Sequence, residues 1–190
     1  MTNTRLLILR HGETDWSAAR RHTGRTDVPL NADGEAQARA LAGHLPLDDV
    51  AAVWCSPLQR AVTTARLVGL PVDSLDPDLE EWDYGTAEGR TTEELRQEVP
   101  GWDVWTHGVV DGESVNEVGA RADRVIARAR ELDGQVVIVA HAHVLRVLAI
   151  RWIGLPAVAG RYLTLDAGGW GLLGWERETP VIERWNPLPR

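Results

Sequence analysis

Two apolar runs constrain this chain most: Leu6-Leu7-Ile8-Leu9, which stops at Arg10-His11, and Val136-Val137-Ile138-Val139-Ala140, which stops at His141. Both read as buried strands, as does Val50-Ala51-Ala52-Val53-Trp54-Cys55. Strand-like runs that alternate with helical ones point to an α/β fold with a largely parallel sheet.

The helical stretches carry their own start signals. Asn31 is placed to cap a helix with Ala38, Leu41, Ala42 and Leu45 at helical spacing. Ser56-Pro57 predicts a helix start, Ser as N-cap and Pro at the first helical position, running toward Gly69. Ser114 to Glu117 reads as a capping box opening a helix whose Val115, Val118, Ala122, Val125, Ile126, Ala129 and Leu132 share one face. Its arginines, Arg121, Arg124, Arg128 and Arg130, are then expected on a solvated face. A further helix is expected from about Val144 to Ile153, and an irregular polar loop from Trp16 to Leu30. Toward the end, Tyr162 to Leu165, Gly171 to Trp175 and Val181 to Trp185 suggest short strands forming an antiparallel edge. With neither repeat nor linker in 190 residues, a single domain over 1–190 is expected.

Arginine supplies all 20 basic side chains, lysine being absent, so only the placement of arginines is informative. A net charge of −8 argues against nucleic acid and anionic membranes as partners. The lone cysteine, Cys55, excludes an intrachain disulfide framework and reads as a buried small residue. No run approaches a membrane span or a signal h-region, so a soluble, cytoplasmic protein is expected.

In open parallel sheets ligands bind outside the carboxyl ends of the strands. Three segments bring cationic or imidazole groups there: Arg10 with His11, Arg60 in a helix's opening turns, and His141. Imidazole is a base and nucleophile near neutral pH, and a guanidinium fork suits phosphate oxygens. Gly12 permits a sharp turn after the strand, and Glu13 and Thr14 add polar groups nearby. A strand ending in a solvated loop is the plain alternative. A zinc site from His11, His141 and His143 is another, opposed by the charges of Arg10 and Arg60. His22, His44 and His107 read as surface or core residues, although His22 lies in the polar loop.

The motif Leu9-Arg10-His11-Gly12-Glu13-Thr14, then Thr23-Gly24 with Asp27 and Leu30, then Ser56-Pro57-Leu58-Gln59-Arg60-Ala61, are followed by Leu79 to Gly85 with Glu88-Gly89, by Gly112-Glu113-Ser114 and by His141. In this order the chain resembles the histidine phosphatase superfamily in its phosphoglycerate mutase-like branch, nearest its actinobacterial acid phosphatases. The resemblance implies a three-layer α/β/α fold with a mostly parallel central sheet and no cofactor or metal. It implies that His11 attacks phosphorus, that Arg10, Arg60 and His141 hold the equatorial oxygens, and that Glu81 protonates the leaving oxygen and then activates water. Neighbouring Glu80 and Glu88 are expected to raise the Glu81 pKa by repulsion. Substrate binding is expected from Arg10, Ser17, Thr23, Gly24, Arg60, Tyr84, Ala142 and His143, with Trp16, Trp82, Trp102 and Trp105 available to wall a pocket.

Ser17 stands where that family usually has Asn, and Ala142-His143 where it has Gly and a variable polar residue, so His143 is expected to face the leaving group. Mutases of the family carry an extra segment with tandem arginines and a lysine, which this chain lacks. The expected activity is therefore hydrolysis of small phosphomonoesters, in mild acid. A phosphoglycerate mutase and a catalytically silent phospho-ligand binding module are the alternatives. Oligomeric state stays open, a homodimer being one option.

Overall fold

The computed structural model describes residues 4–187. Its first strand, β1 (Arg5–Arg10), is followed by short helix α1 (Asp15–Ala18), α2 (Ala32–Ala40), β2 (Val50–Cys55), α3 (Gln59–Val68) and a two-residue strand β3 (Ser74–Leu75). The chain continues through α4 (Thr92–Glu98), α5 (Val104–His107), α6 (Val115–Ala129), β4 (Gln135–Ala140), α7 (Ala142–Trp152), β5 (Trp170–Glu176) and β6 (Thr179–Trp185). The strands form one sheet in the order β3-β2-β4-β1-β5-β6. The pairs β3-β2, β2-β4 and β4-β1 are parallel, and β1-β5 and β5-β6 antiparallel.

Side chains alternate across a strand, so the apolar runs feed two cores. Leu6, Ile8, Val136 and Ile138 pack with α6 and α7 through Val118, Ala122, Val125, Val144, Leu145 and Leu148. On the other face, Leu7, Leu9, Val137 and Val139 meet Ala38 of α2 and Ala61, Ala65 and Val68 of α3. This is the expected three-layer arrangement. Burying each such Leu, Ile or Val contributes about 1.5–3 kcal/mol of transfer free energy.

Several local expectations are corrected. Ser56 and Pro57 precede α3, which starts at Gln59 behind the uncapped Leu58. The Gln59 N–H is instead satisfied from a distance by the Asp27 carboxylate, at 2.9 Å. The polar stretch after β1 is not all loop, because Thr14 and Ser17 form a capping box that opens α1. Helix α2 ends at Ala40, and Ala42 and Leu45 lie beyond it. Tyr162 to Leu165 forms no strand; Ala157–Tyr162 is a 3-10 helix against α7. Nor do the arginines of α6 face solvent alone. Arg121 pairs with Glu113 and donates to the carbonyls of Asp78 and Glu80, Arg128 pairs with Asp76, and Arg130 lies over Trp152.

The turn leaving β1 is fixed by a close approach of two glycines. A Cβ on Gly12 would run into the carbonyl of Gly34 in α2, and one on Gly34 into the backbone of Glu13. The same contact is held by Asn31, whose backbone N–H donates to the Glu13 carbonyl and whose side-chain amide donates to the Glu13 carboxylate. Gly34→Ala is therefore expected to lower stability by about 2 kcal/mol through backbone overpacking. Urea denaturation of the variant beside the parent chain measures it.

Candidate active site

The sheet register decides what meets at the carboxyl edge. In β1 and β4, Leu9 lies opposite Val139 and Arg10 opposite Ala140, so His11 and His141 leave the sheet side by side. Their ring centroids are 5.0 Å apart in an edge-on arrangement. Strand β2 places Cys55 level with Val139, which puts Ser56 in the same row.

The hydrogen bonds fix the tautomers of both rings. The Gly12 carbonyl can only accept, so His11 Nδ1 is the protonated nitrogen of that 2.6 Å contact and Nε2 carries the lone pair. Arg60 Nε can only donate, at 3.1 Å, so His141 Nδ1 accepts and its Nε2 donates to Ser56 Oγ at 2.7 Å. Burial, then the charges of Arg10 and Arg60, hold the His11 pKa well below the usual imidazole value. Burial and then Arg60 do the same for His141.

Arg10 donates to the Leu165 carbonyl at 2.6 Å, while its buried Nε has no partner among the described residues. That donor beside His11 suits an anion's oxygen. Arg60 is fully buried and holds the loop carbonyls of Thr23, Gly24 and Thr26 together with His141. Glu81 is also buried, and its carboxylate accepts from the N–H groups of Trp82, His143 and Val144, two of them at the start of α7. Arg121 and Glu113 clamp the loop that carries it: Glu113 takes the Arg121 guanidinium on both oxygens and the Asp83 N–H on one. Glu80 and Glu88 turn to other partners, Glu80 to Arg25 and Glu88 to the N–H groups of Gly24 and Thr26.

A cavity of about 470 Å³ opens onto these groups, within the ~300–1,000 Å³ usual for small-molecule sites. Arg10, His11, Glu81, Tyr84, Ala142 and His143 line it, as do Ser17 and Thr23. Arg60, His141 and Gly24 are not on its wall; they stand one layer behind. The Ser17 hydroxyl is engaged with Thr14, from whose N–H it accepts and to whose carbonyl it donates. His143 Nδ1 lies 2.7 Å from the Tyr84 hydroxyl and 3.9 Å from Glu81 Oε2. Of the aromatic residues considered, Trp105 lines the cavity, whereas Trp82 and Trp102 are core. Glu13 and Thr14 serve the turn and the α1 cap.

Several residues escaped the sequence reading. Ser56 looks like a helix cap and is the partner of His141. Arg146 looks like one more arginine, yet it reaches the cavity while stacked 4.7 Å over the Trp105 ring. Arg20, with φ 56°, occupies the left-handed position that closes α1, its N–H bonding Ser17 and the next N–H bonding Trp16. Glycine is usual there, and a larger residue costs on the order of 1 kcal/mol.

The sequence profile of the histidine phosphatase superfamily (branch 1) matches residues 6–187. An acid phosphatase of Mycobacterium tuberculosis is 45% identical over 179 residues, 92% of this chain and 88% of the relative. A probable phosphoglycerate mutase of an Enterobacter species is 36% identical over 83% of this chain and 79% of its own. The solved structure of an open reading frame product from Mycobacterium tuberculosis superposes with a TM-score of 0.93 at 42% identity, covering 97% of each chain.

Four imidazoles, His11, His22, His141 and His143, have pKa values lowered chiefly by burial, His22 to about 4. Unfolded, each titrates near 6.5, so below that pH the unfolded chain binds more protons than the folded one. Stability is accordingly expected to fall as pH drops from 6.5 toward 4, by at least about 1 kcal/mol per pH unit, and to be free of this slope above 6.5. Urea midpoints across that range, with a shallower slope for His143→Gln, are the check.

Proposed function

The chain belongs to the histidine phosphatase superfamily, branch 1, and on that premise we propose that it is a metal-independent phosphomonoesterase of the acid phosphatase kind, working through a phosphohistidine at His11. The observation that carries the proposal is the His11 ring itself. Its Nδ1 is tied to the Gly12 carbonyl, and two guanidinium charges and burial keep it neutral, so Nε2 retains its lone pair in mild acid.

In the first step Nε2 attacks phosphorus in line, the P–O bond to the alcohol breaks, and its electron pair leaves on that oxygen. Glu81, at the cavity wall and oriented by the start of α7, supplies the proton the alkoxide needs. In the second step water attacks the phosphohistidine, Glu81 takes its proton, and the P–N bond's electron pair returns to Nε2. Ester and water thus become alcohol and phosphate. Arg10, with its unmatched Nε, takes an equatorial oxygen; Arg60 and His141 act from one layer behind, Arg60 through its charge and His141 with its ring 5.0 Å from that of His11. Tyr84, Ala142, His143, Ser17 and Thr23 border the alcohol portion. A divalent cation there would lie against the Arg10 and Arg60 charges, which is why hydrolysis is expected to survive chelation.

The mutase-named relative makes isomerisation the second reading. A mutase must hold a bisphosphorylated intermediate away from water, and this chain has no lysine to help grip it. Hydrolysis needs no such retention.

His11→Ala is expected to reduce phosphate release from small phosphoesters at least about a thousandfold. The parent chain, quenched during turnover of a ³²P-labelled ester, is expected to carry an acid-labile, base-stable label. Full activity in the variant, or loss of the parent's activity with EDTA, contradicts the proposed mechanism. Phosphoglycerate isomerisation faster than phosphate release decides for the mutase.

A further inference from the structure

We infer that His143, its ring set by the Tyr84 hydroxyl, donates from Nε2 to a neutral oxygen on the carbon next to the ester carbon, so that the site favours phosphoesters of vicinal diols and polyols over those of simple alcohols. The inference rests on the phosphatase reading above for the place of the ester oxygen.

Tyr84 is buried, and His143 Nδ1, at 2.7 Å, is the one hydrogen-bond partner of its hydroxyl among the described residues. Burial, then the charges of Glu81 and Glu88, hold the Tyr84 pKa well above the usual phenol value, so the hydroxyl keeps its proton and has Nδ1 to give it to. Nδ1 therefore accepts, and the ring's own proton sits on Nε2. Glu81 does not compete for Nδ1. Its Oε2 is 3.9 Å away, beyond hydrogen-bond reach, and takes the main-chain N–H of the same residue at 3.0 Å. Burial, then the charge of Arg146, keeps the imidazole neutral.

The second ring nitrogen is left for a ligand. Nε2 makes no hydrogen bond among the described residues and is open on the cavity wall that His143 lines. The ring is wedged in place: the centroids of Trp105, Tyr84 and Trp82 lie 5.2, 5.8 and 6.1 Å from its own, the last two edge-on. A donor held this firmly loses little freedom when a ligand arrives. Its neighbour decides what that ligand carries. The Glu81 carboxylate beside the ring repels an anion, so the acceptor is a neutral oxygen, as a hydroxyl supplies. Because Glu81 also serves the leaving oxygen, the group that meets His143 is borne by an atom close to that oxygen. The adjacent carbon of a diol puts an oxygen there, whereas a simple alkyl ester leaves the N–H unpaired. A site that hydrogen-bonds a hydroxyl discriminates against the analogue lacking it.

Binding separates this from turnover. The His11→Ala chain is titrated calorimetrically with 2-hydroxyethyl phosphate and with propyl phosphate, in which a methyl group replaces the hydroxyl. The two carry the same charge and differ little in size. The diol ester is expected to bind about fivefold more tightly, as one hydrogen bond provides. Adding His143→Ala is expected to bring that ratio to within about twofold. Adding Tyr84→Phe instead, which keeps the ring packing and removes the oxygen that sets the imidazole, is expected to lower it. A merely structural role for either residue weakens both ligands alike and leaves the ratio standing. The ¹⁵N spectrum of the parent chain is expected to show the His143 proton on Nε2. Near-equal affinity for the two esters, a ratio that survives either substitution, or a proton on Nδ1 in the parent chain overturns the inference. Failure of the phosphatase reading shows separately, as absence of phosphate release by the parent chain from either ester.

Discussion

The parallel pairing of β1 with β4 is the constraint on which the rest depends. Because Leu9 faces Val139, both strands run out at the same level, and the next residues, His11 and His141, come together without any long loop to place them. The third parallel strand, level with them through Cys55, adds Ser56. A slip of one residue would turn each side chain to the opposite face of the sheet and dissolve the cluster. The apolar surface buried on both sides of these strands is thus what fixes the distance between two imidazoles.

That cluster gathers arginines and histidines in a place where charges of one sign repel. It is stable because the histidines stay neutral, with both ring nitrogens of His141 and Nδ1 of His11 hydrogen-bonded. Arg60 illustrates the point: it donates Nε to His141 and its terminal nitrogens to three carbonyls of the 23–26 loop. A buried cation is tolerable when its hydrogen-bonding capacity is met, and the carbonyl dipoles meet it here. The same bonds orient His141, so electrostatic stability and imidazole orientation have one origin.

Much of this was legible in the sequence, and the failures have physical reasons. Leu6 to Leu9 and Val136 to Val139 are visible as strands because their burial is continuous, and strand ends mark the ligand edge of a parallel sheet. Arg10-His11 and His141 were legible as the ends of buried strands, whereas Glu81 was reached only through the family resemblance. Ser56 was misread because a serine before proline satisfies the local rule for a cap, whereas its actual partner, His141, is 85 residues away. Arg121 was misread because helical periodicity reports which face is polar and not whether a loop folds over it. Asp27 caps α3 across 32 residues, a relation no local pattern contains. Arg146 was hidden by abundance, since a chain whose basic residues are all arginine makes none of them conspicuous.

The bonds between Arg60 and the 23–26 loop have a consequence for how such a protein can diversify. Any insertion or substitution that shifts those carbonyls releases the guanidinium and, with it, the orientation of His141, so this wall is closed to evolutionary experiment. Helices α4 and α5 border the same cavity through Thr92, Arg96, Val104 and Trp105, side chains that carry no part of that network. New substrates can therefore be acquired there by changes in a few exposed residues, while the bond-breaking half of the molecule is inherited intact.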